Sequence, residues 1–313
     1  VSVNEGIKDT VVISLAGDLQ TFDPYECYAI VTNEVIQNMY DGLVSLDKDG
    51  NIQPLLAEKF TWDADSNTYR FYIRKDVKFH DGSQMKGSDV YFSFKHGVDV
   101  KGTSMNAPHI KDVKLVDDYI VDVELYEPYA PFLYYLTLEF RILSEATFNK
   151  YGSFQDTGIG TGPYKLVKYT PGEGVFLEAF EDYFLGSAPI KNAEFRIIPD
   201  GNTQFIALET GELNLSKDFP MINLSTIKEN DDLSIFSADC GLVTFLMLNH
   251  NFEPFRNVKV RQAINYCIDK EFIIDVVEEG FGEIANSIAN KGMLGHTENI
   301  PYYEYNLQKA KKL

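Results

Sequence analysis

Apolar and polar positions repeat along this chain with periods that change several times, so strands and helices are mixed rather than gathered into long blocks. Val11 to Leu15 is an apolar run and predicts a buried strand. Thr32 to Tyr40 places Val35, Ile36, Met39 and Tyr40 at helical spacing, with Thr32 or Asn33 as the predicted cap. Tyr69 to Arg74 alternates with period two, the pattern of a half-buried strand, and Asp81-Gly82 predicts a tight turn. A short helix is predicted over Ser88 to His96. Val113 to Leu125 reads as a hairpin turning at Asp117-Asp118, and Pro163 to Tyr169 with Gly174 to Phe180 as a second hairpin around Pro171-Gly172-Glu173-Gly174.

The later part continues the mixture. A strand over Glu194 to Ile198 is followed by a helix that Asn202 caps and Gly211 ends. Leu242 to Leu248 predicts another buried strand. Asn257 caps the next helix, and a further one runs from Asp269 to Gly280. From Asn306 to Leu313 an amphipathic helix opens without a stop signal, which predicts that the natural chain continues. There is no internal repeat or low-complexity tract.

Composition narrows the class. The 313 residues carry a formal charge of −19 with 44% hydrophobic residues, including 22 Phe and 19 Tyr. A folded acidic chain with ample core material is expected, and its length suits two or more lobes. Nucleic acid and anionic membrane surfaces are disfavoured as partners, because both repel such a charge. No apolar run is long enough for a transmembrane helix, and the first residues do not read as a signal peptide. Cys27, Cys240 and Cys267 show no metal-ligand spacing and are expected to be buried as small apolar groups.

The templates of catalysis are missing. His80, His96, His109, His250 and His296 form no close pair, and there is neither a nucleophile elbow nor a Walker loop. Gly158-Ile159-Gly160-Thr161-Gly162 looks like a phosphate loop, but Pro163 then opens a strand instead of a helix, so it reads as a glycine-rich connection between lobes. Asp76, Asp81 and Asp89 around His80 lack EF-hand spacing and read as a solvated turn and helix start. Asp63 to Asn67 reads as a polar hairpin tip. No catalytic residue, metal site or cofactor is expected.

Several motifs together resemble the solute-binding proteins of ABC importers, in the large peptide, dipeptide and nickel-binding family. Thr21-Phe22-Asp23-Pro24 is similar to its Thr-Leu-Asp-Pro segment, and Tyr40-Asp41-Gly42-Leu43-Val44 to its Tyr-Glu-Gly-Leu-Val. The run from Asp47 to Glu58, the run from Tyr69 to Gly82, and Ser88-Asp89-Val90 follow in order. Gly160-Thr161-Gly162-Pro163-Tyr164 is close to the family hallmark. Asp182-Tyr183-Phe184, Gly211-Glu212-Leu213-Asn214 and Pro254 to Ile264 complete the series. Phe184 departs from the usual Trp, Asn214 from the usual Asp, and Lys86-Gly87 from a Thr-Ala pair; the last removes a good N-cap, worth about 1 kcal/mol.

The resemblance implies an α/β, two-lobed periplasmic-binding-protein-like fold (class II, large three-domain variant) with mixed sheets. Residues 1–45 plus 157–248 would form the first lobe, 46–156 an inserted smaller domain, and 249–313 the start of a second lobe within which the chain is truncated. It implies capture of a solute, first of all oligopeptides or dipeptides, by hinge closure and delivery to a membrane ABC permease. A nickel chelate, haem or an oligosaccharide is the alternative within the family, and a hydrolase the alternative outside it. On this resemblance Tyr28, Ala29, Ile30 and Val31 would line the ligand cleft, with Ser216, Lys217, Asp218, Cys240, Gly241, Leu242 and Val243 beside them. Tyr28 is weighed as an aromatic wall or a packed surface residue, and Lys217 as a solvated lysine or a carboxylate anchor. Arg261 and Gln262 are expected to be structural. A monomer outside the cytoplasm, periplasmic or lipid-anchored, is implied.

Overall fold

In the computed structural model of the chain, residues 9–27, 29–100, 109–237, 242–289 and 296–313 are described. They separate into two compact units, Val1–Phe219 and Pro220–Leu313. The first unit opens with β1 (Thr10–Leu15), α1 (Ile30–Ile36), β2 (Val44–Leu46), β3 (Ile52–Pro54), β4 (Ala57–Asp63) and β5 (Thr68–Ile73). It continues with α2 (Gly87–Asp99), β6 (Ile110–Asp117), β7 (Ile120–Leu125), α3 (Phe132–Leu138) and α4 (Glu145–Tyr151). It ends with β8 (Tyr164–Thr170), β9 (Gly174–Ala179), β10 (Asn192–Ile197) and α5 (Gly201–Glu209).

Two four-stranded sheets organise this unit. One has the order β1-β10-β9-β8 and is mixed: β1 runs parallel to β10, with Thr10 opposite Asn192, while the other pairs are antiparallel. The other, β4-β5-β7-β6, is antiparallel throughout, and β2 with β3 forms a small ribbon. In the antiparallel sheet period-two alternation turns Phe71, Ile73, Val121, Val123 and Leu125 into the core. Their neighbours face outward, where Arg70 and Asp122, directly opposite in register, form a two-pronged ion pair at 2.7 and 2.8 Å. On the exposed face a polar hollow of about 710 Å³ is lined by this pair together with Lys111, Lys114 and Glu124, whose charges pair with one another.

The motif residues hold this unit together. Asp23 accepts a hydrogen bond from the Tyr25 backbone and bonds His96 Nε2 at 3.0 Å, tying the first segment to α2. Gly87 opens α2 against the turn between β6 and β7, where its N–H donates to the Asp118 carbonyl at 2.7 Å. A Cβ at that position would stand 2.9 Å from Leu115 Cδ1 and 3.0 Å from the Asp118 carbonyl, which explains the glycine. The missing hydroxyl cap is offset by Asp89, which accepts from the Lys86 backbone N–H at 2.9 Å.

The second unit carries α6 (Leu224–Glu229), α7 (Val258–Cys267), α8 (Lys270–Phe272) and α9 (Leu307–Lys312). α7 and α9 meet where the Asn306 N–H donates to the Tyr266 carbonyl and Lys309 lies over the Tyr266 ring. Arg261 donates to the carbonyls of Phe255 and Arg256, the structural role expected of it. Asn257 caps α7 as predicted, and Asn306 caps α9.

Four expectations need correction. α5 is capped by Asp200, whose carboxylate accepts from Thr203 N, because the helix starts one residue before Asn202. α1 begins at Ile30 behind Ala29 with no side-chain cap; Thr32 is buried and accepts instead from the Gln20 backbone N–H. Residues 242–248 form no strand and are mostly exposed, so their apolar side chains are not gathered into a ladder there. Cys27 is half-buried and Cys267 exposed, while Cys240 lies outside the described residues.

Candidate functional site

The expected cleft residues at the start of α1 are exposed for a clear reason. The helix buries Thr32, Val35 and Ile36 on its inner side. Ile30 lies on the other side, 76% exposed, with Ala29 and Val31 half-buried beside it. One turn beyond Ile30, Glu34 forms an ion pair with Lys217. Glu34 was not anticipated, because its partner lies 183 residues away along the chain.

Lys217 is delivered there by a segment that extends the mixed sheet. Asn214 and Leu215 donate their N–H groups to the Val12 carbonyl, Ser14 N–H donates to the Leu215 carbonyl, and the Asn214 side-chain oxygen accepts from Val12 N–H at 2.9 Å. An amide oxygen serves there as well as the family's carboxylate oxygen, so Asn214 acts in the sheet. Behind the segment sits Gln204, wholly buried in α5. Its side-chain oxygen accepts from the hydroxyls of Ser14 at 2.7 Å and Ser216 at 2.8 Å, and its NH2 donates to the Ile198 carbonyl at 2.7 Å. These three bonds fix Ser216, and Lys217 with it.

The Glu34 pair sets Lys217 against α1, the helix whose first turn carries Ile30 and Val31, and Ser216 precedes Lys217 in the chain. Asp218 follows as an exposed residue. Leu242 and Val243 belong to the other compact unit, and Tyr28, Cys240 and Gly241 lie outside the described residues. The surface there carries the exposed Ile30 side chain and an ammonium paired with a carboxylate, while the Ser216 hydroxyl donates inward to Gln204.

A second polar cluster surrounds the glycine-rich connection. His80 bonds it three times: its backbone N–H donates to the Gly160 carbonyl at 2.9 Å, Nδ1 accepts from Gly160 N–H at 3.2 Å, and Nε2–H donates to the Gly162 carbonyl at 3.0 Å. Burial pushes the imidazole down to about 4. From the other side Asp41, 7% exposed, accepts from the Thr161 hydroxyl at 3.2 Å and the Tyr183 hydroxyl at 3.4 Å. Burial raises its carboxyl to about 6 despite those hydroxyls and the attraction of Arg141. Gly162 N–H donates to the Met39 carbonyl at 2.9 Å. The connection is a structural joint, as its sequence suggested.

The acidic residues near His80 are also structural. Asp76 pairs with Arg74, Asp81 accepts from Ser83 in a turn, and Asp89 accepts from the N–H groups of Lys86 and Glu145. Among the described residues no three His, Cys, Asp or Glu side chains are grouped to hold a metal ion. No helix among them is long and apolar enough to cross a membrane.

Comparison with known proteins agrees with the sequence motifs. The model of the bacterial extracellular solute-binding proteins, family 5 Middle, matches residues 51–313. Heme-binding protein A of Haemophilus influenzae is 30% identical over 309 residues, covering 90% of this chain and 56% of its own length. Among solved structures, NikZ from Campylobacter jejuni in complex with Ni(L-His) superposes with a TM-score of 0.87 at 27% identity, covering 98% of this chain and 62% of that one. The DppA periplasmic binding protein of Helicobacter pylori in complex with the peptide STSA superposes with a TM-score of 0.85 at 28% identity, covering 97% and 65%. The chain therefore spans little more than half to two-thirds of the length of these relatives. With an order of motifs that runs from Thr21 to Ile264 and a family match over most of its length, the chain belongs to the bacterial extracellular solute-binding proteins of family 5.

Proposed function

We propose that the protein captures a short peptide outside the cytoplasm and hands it to a membrane ABC permease. The observation that carries this reading is the superposition of 97% of the chain on a binding protein holding a tetrapeptide. In this reading Ile30 and Val31 meet ligand side chains, and Ser216 offers a hydroxyl. Lys217, half exposed and tethered by Glu34, turns its remaining N–H donors toward a ligand carboxylate. Residues 1–45 with 157–248 make the first lobe, 46–156 an inserted domain, and 249–313 the start of a second lobe. The mixed sheet supports the insertion, since it draws β1 from before residue 46 and β8, β9 and β10 from after residue 156. The protein acts as a monomer, free in the periplasm or lipid-anchored.

The test is thermal unfolding of the full-length protein with a mixed library of di- to pentapeptides. A ligand present at a hundred times its Kd adds about 2.7 kcal/mol and raises Tm. No shift with any pool would refute the peptide reading. A second reading, a haem or nickel-chelate receptor, is favoured by the relationship to heme-binding protein A and the likeness to NikZ. Native mass spectrometry of freshly purified protein separates the two by the mass retained.

A further inference from the structure

Residues 160–162 are gripped from two sides by groups whose uncharged forms burial favours. On one side the hydrogen bonds suit a neutral His80, with Nδ1 accepting the Gly160 N–H and Nε2–H donating to the Gly162 carbonyl, while a backbone bond at Gly158 favours the protonated ring and burial opposes it. An imidazolium has no acceptor and would break the first bond. The ring lies edge-on to Phe180, and the charges facing it are Lys165, which opposes protonation, and Asp81, which favours it. On the other side Asp41 is buried with only two long hydroxyl bonds, and the charge of Arg141, which favours its ionised form, is outweighed by burial. Such a carboxyl is favoured in its protonated form.

We infer that His80 and Asp41 form a compensating pair that keeps the joint at Gly160-Thr161-Gly162 equally tight across mildly acidic pH. When the joint opens, a solvated His80 takes up a proton and a solvated Asp41 releases one. Acid therefore favours opening through His80, and rising pH favours opening through Asp41. Each alone changes the opening equilibrium about tenfold per pH unit. The two windows overlap, from about 4 to the ordinary 6.5 for His80 and from 3.8 to about 6 for Asp41, so between about 4 and 6 the two proton terms cancel. This property is independent of the ligand and suits a protein exposed to the pH outside the cell.

Amide hydrogen exchange on full-length protein reads the joint directly, through peptides that contain the Gly160 and Gly162 N–H groups, after correction for the intrinsic pH dependence of exchange. Wild-type protection is expected to stay within about threefold from pH 4 to 6. Asp41→Asn should lose protection about tenfold per pH unit on acidification, and His80→Gln about tenfold per unit as pH rises. Variants that run parallel to wild type, or a wild type that itself changes tenfold per unit, would overturn the inference. If His80→Gln disrupts the joint at every pH, carbon-13 imidazole NMR of the wild type decides: a neutral Nε2–H tautomer of His80 at pH 5 upholds the pair, and an imidazolium at pH 5 overturns it.

Discussion

Replacing Gln204 with Leu keeps nearly the same volume in α5 but removes the acceptor of two hydroxyls and the donor to one carbonyl, all at 2.7 to 2.8 Å. The costs differ by site. The Ser14 hydroxyl is 2% exposed and has no water to turn to, so leaving it orphaned costs about 1–3 kcal/mol. Ser216 and Ile198 are half-buried and can be rehydrated, at about 0.5–1 kcal/mol each. The sum, about 2–5 kcal/mol, corresponds to a fall in Tm on the order of 5–15 °C for a unit of this size. Thermal and urea unfolding of the full-length protein, followed by circular dichroism, measures it. The decisive step is Ser14→Ala in the Gln204→Leu background. Because the penalty lies in an orphaned hydroxyl, its removal should restore about 1 kcal/mol or more. A single-variant cost under about 1 kcal/mol, or a further loss on adding Ser14→Ala, would refute the assignment of Gln204 as the satisfied hub behind Ser216 and Lys217.

Gly160→Ala would place a Cβ 2.1 Å from the Met39 carbonyl oxygen, a backbone clash that no rotamer relieves; we expect a loss above about 3 kcal/mol, and a melting curve equal to wild type would disprove the close approach. Asp41→Asn should stabilise the protein as pH rises. The raised carboxyl contributes fully below its ordinary 3.8, and that contribution is lost as pH climbs through about 6; the gain of the variant should therefore grow to about 3 kcal/mol above pH 6 and vanish near pH 4 in urea titrations, and a gain that grew toward acid would contradict the sign. Ile30→Ser, at a position 76% exposed, should leave stability within about 0.5 kcal/mol yet weaken binding of a tripeptide that shifts the wild-type Tm; unchanged affinity by calorimetry would remove Ile30 from the ligand surface. Lys217→Met should weaken a free tripeptide by roughly tenfold while sparing its C-terminal amide, and equal loss for both would argue against a carboxylate contact.

The strands and hairpins of the first unit were legible because their information is local: alternation across Tyr69 to Arg74 and Val113 to Leu125 is set by burial of one face, and turn residues mark the ends. The contacts that build the site were not. Glu34 meets Lys217 across 183 residues, and Ser14 meets Gln204 across 190, so neither partner leaves a trace in its own neighbourhood. The cap of α5 was misplaced because Asp200 and Asn202 are both competent, and only the path leaving β10 decides between them. For 242–248 an apolar run resembled a strand, but a strand is a relation between two segments and the run carries only one of them. Phe184 shows a departure with a local explanation: the Arg74 guanidinium lies 5.0 Å from its ring centroid, a role that any aromatic can fill.

The parallel pairing of β1 with β10 also sets a timetable for the chain's birth. Thr10 and Asn192 are 182 residues apart, so at about 5–20 residues per second β1 waits about 10–40 s for the strand it pairs with to be made. Until then the mixed sheet cannot close, whatever the antiparallel sheet has already done. Ribosome-bound chains halted before β10 should therefore protect residues 57–73 and 110–125 from protease while leaving Thr10–Leu15 cleavable. In the proposed role outside the cytoplasm, such a delay would keep the first strand unfolded while the rest of the chain is made.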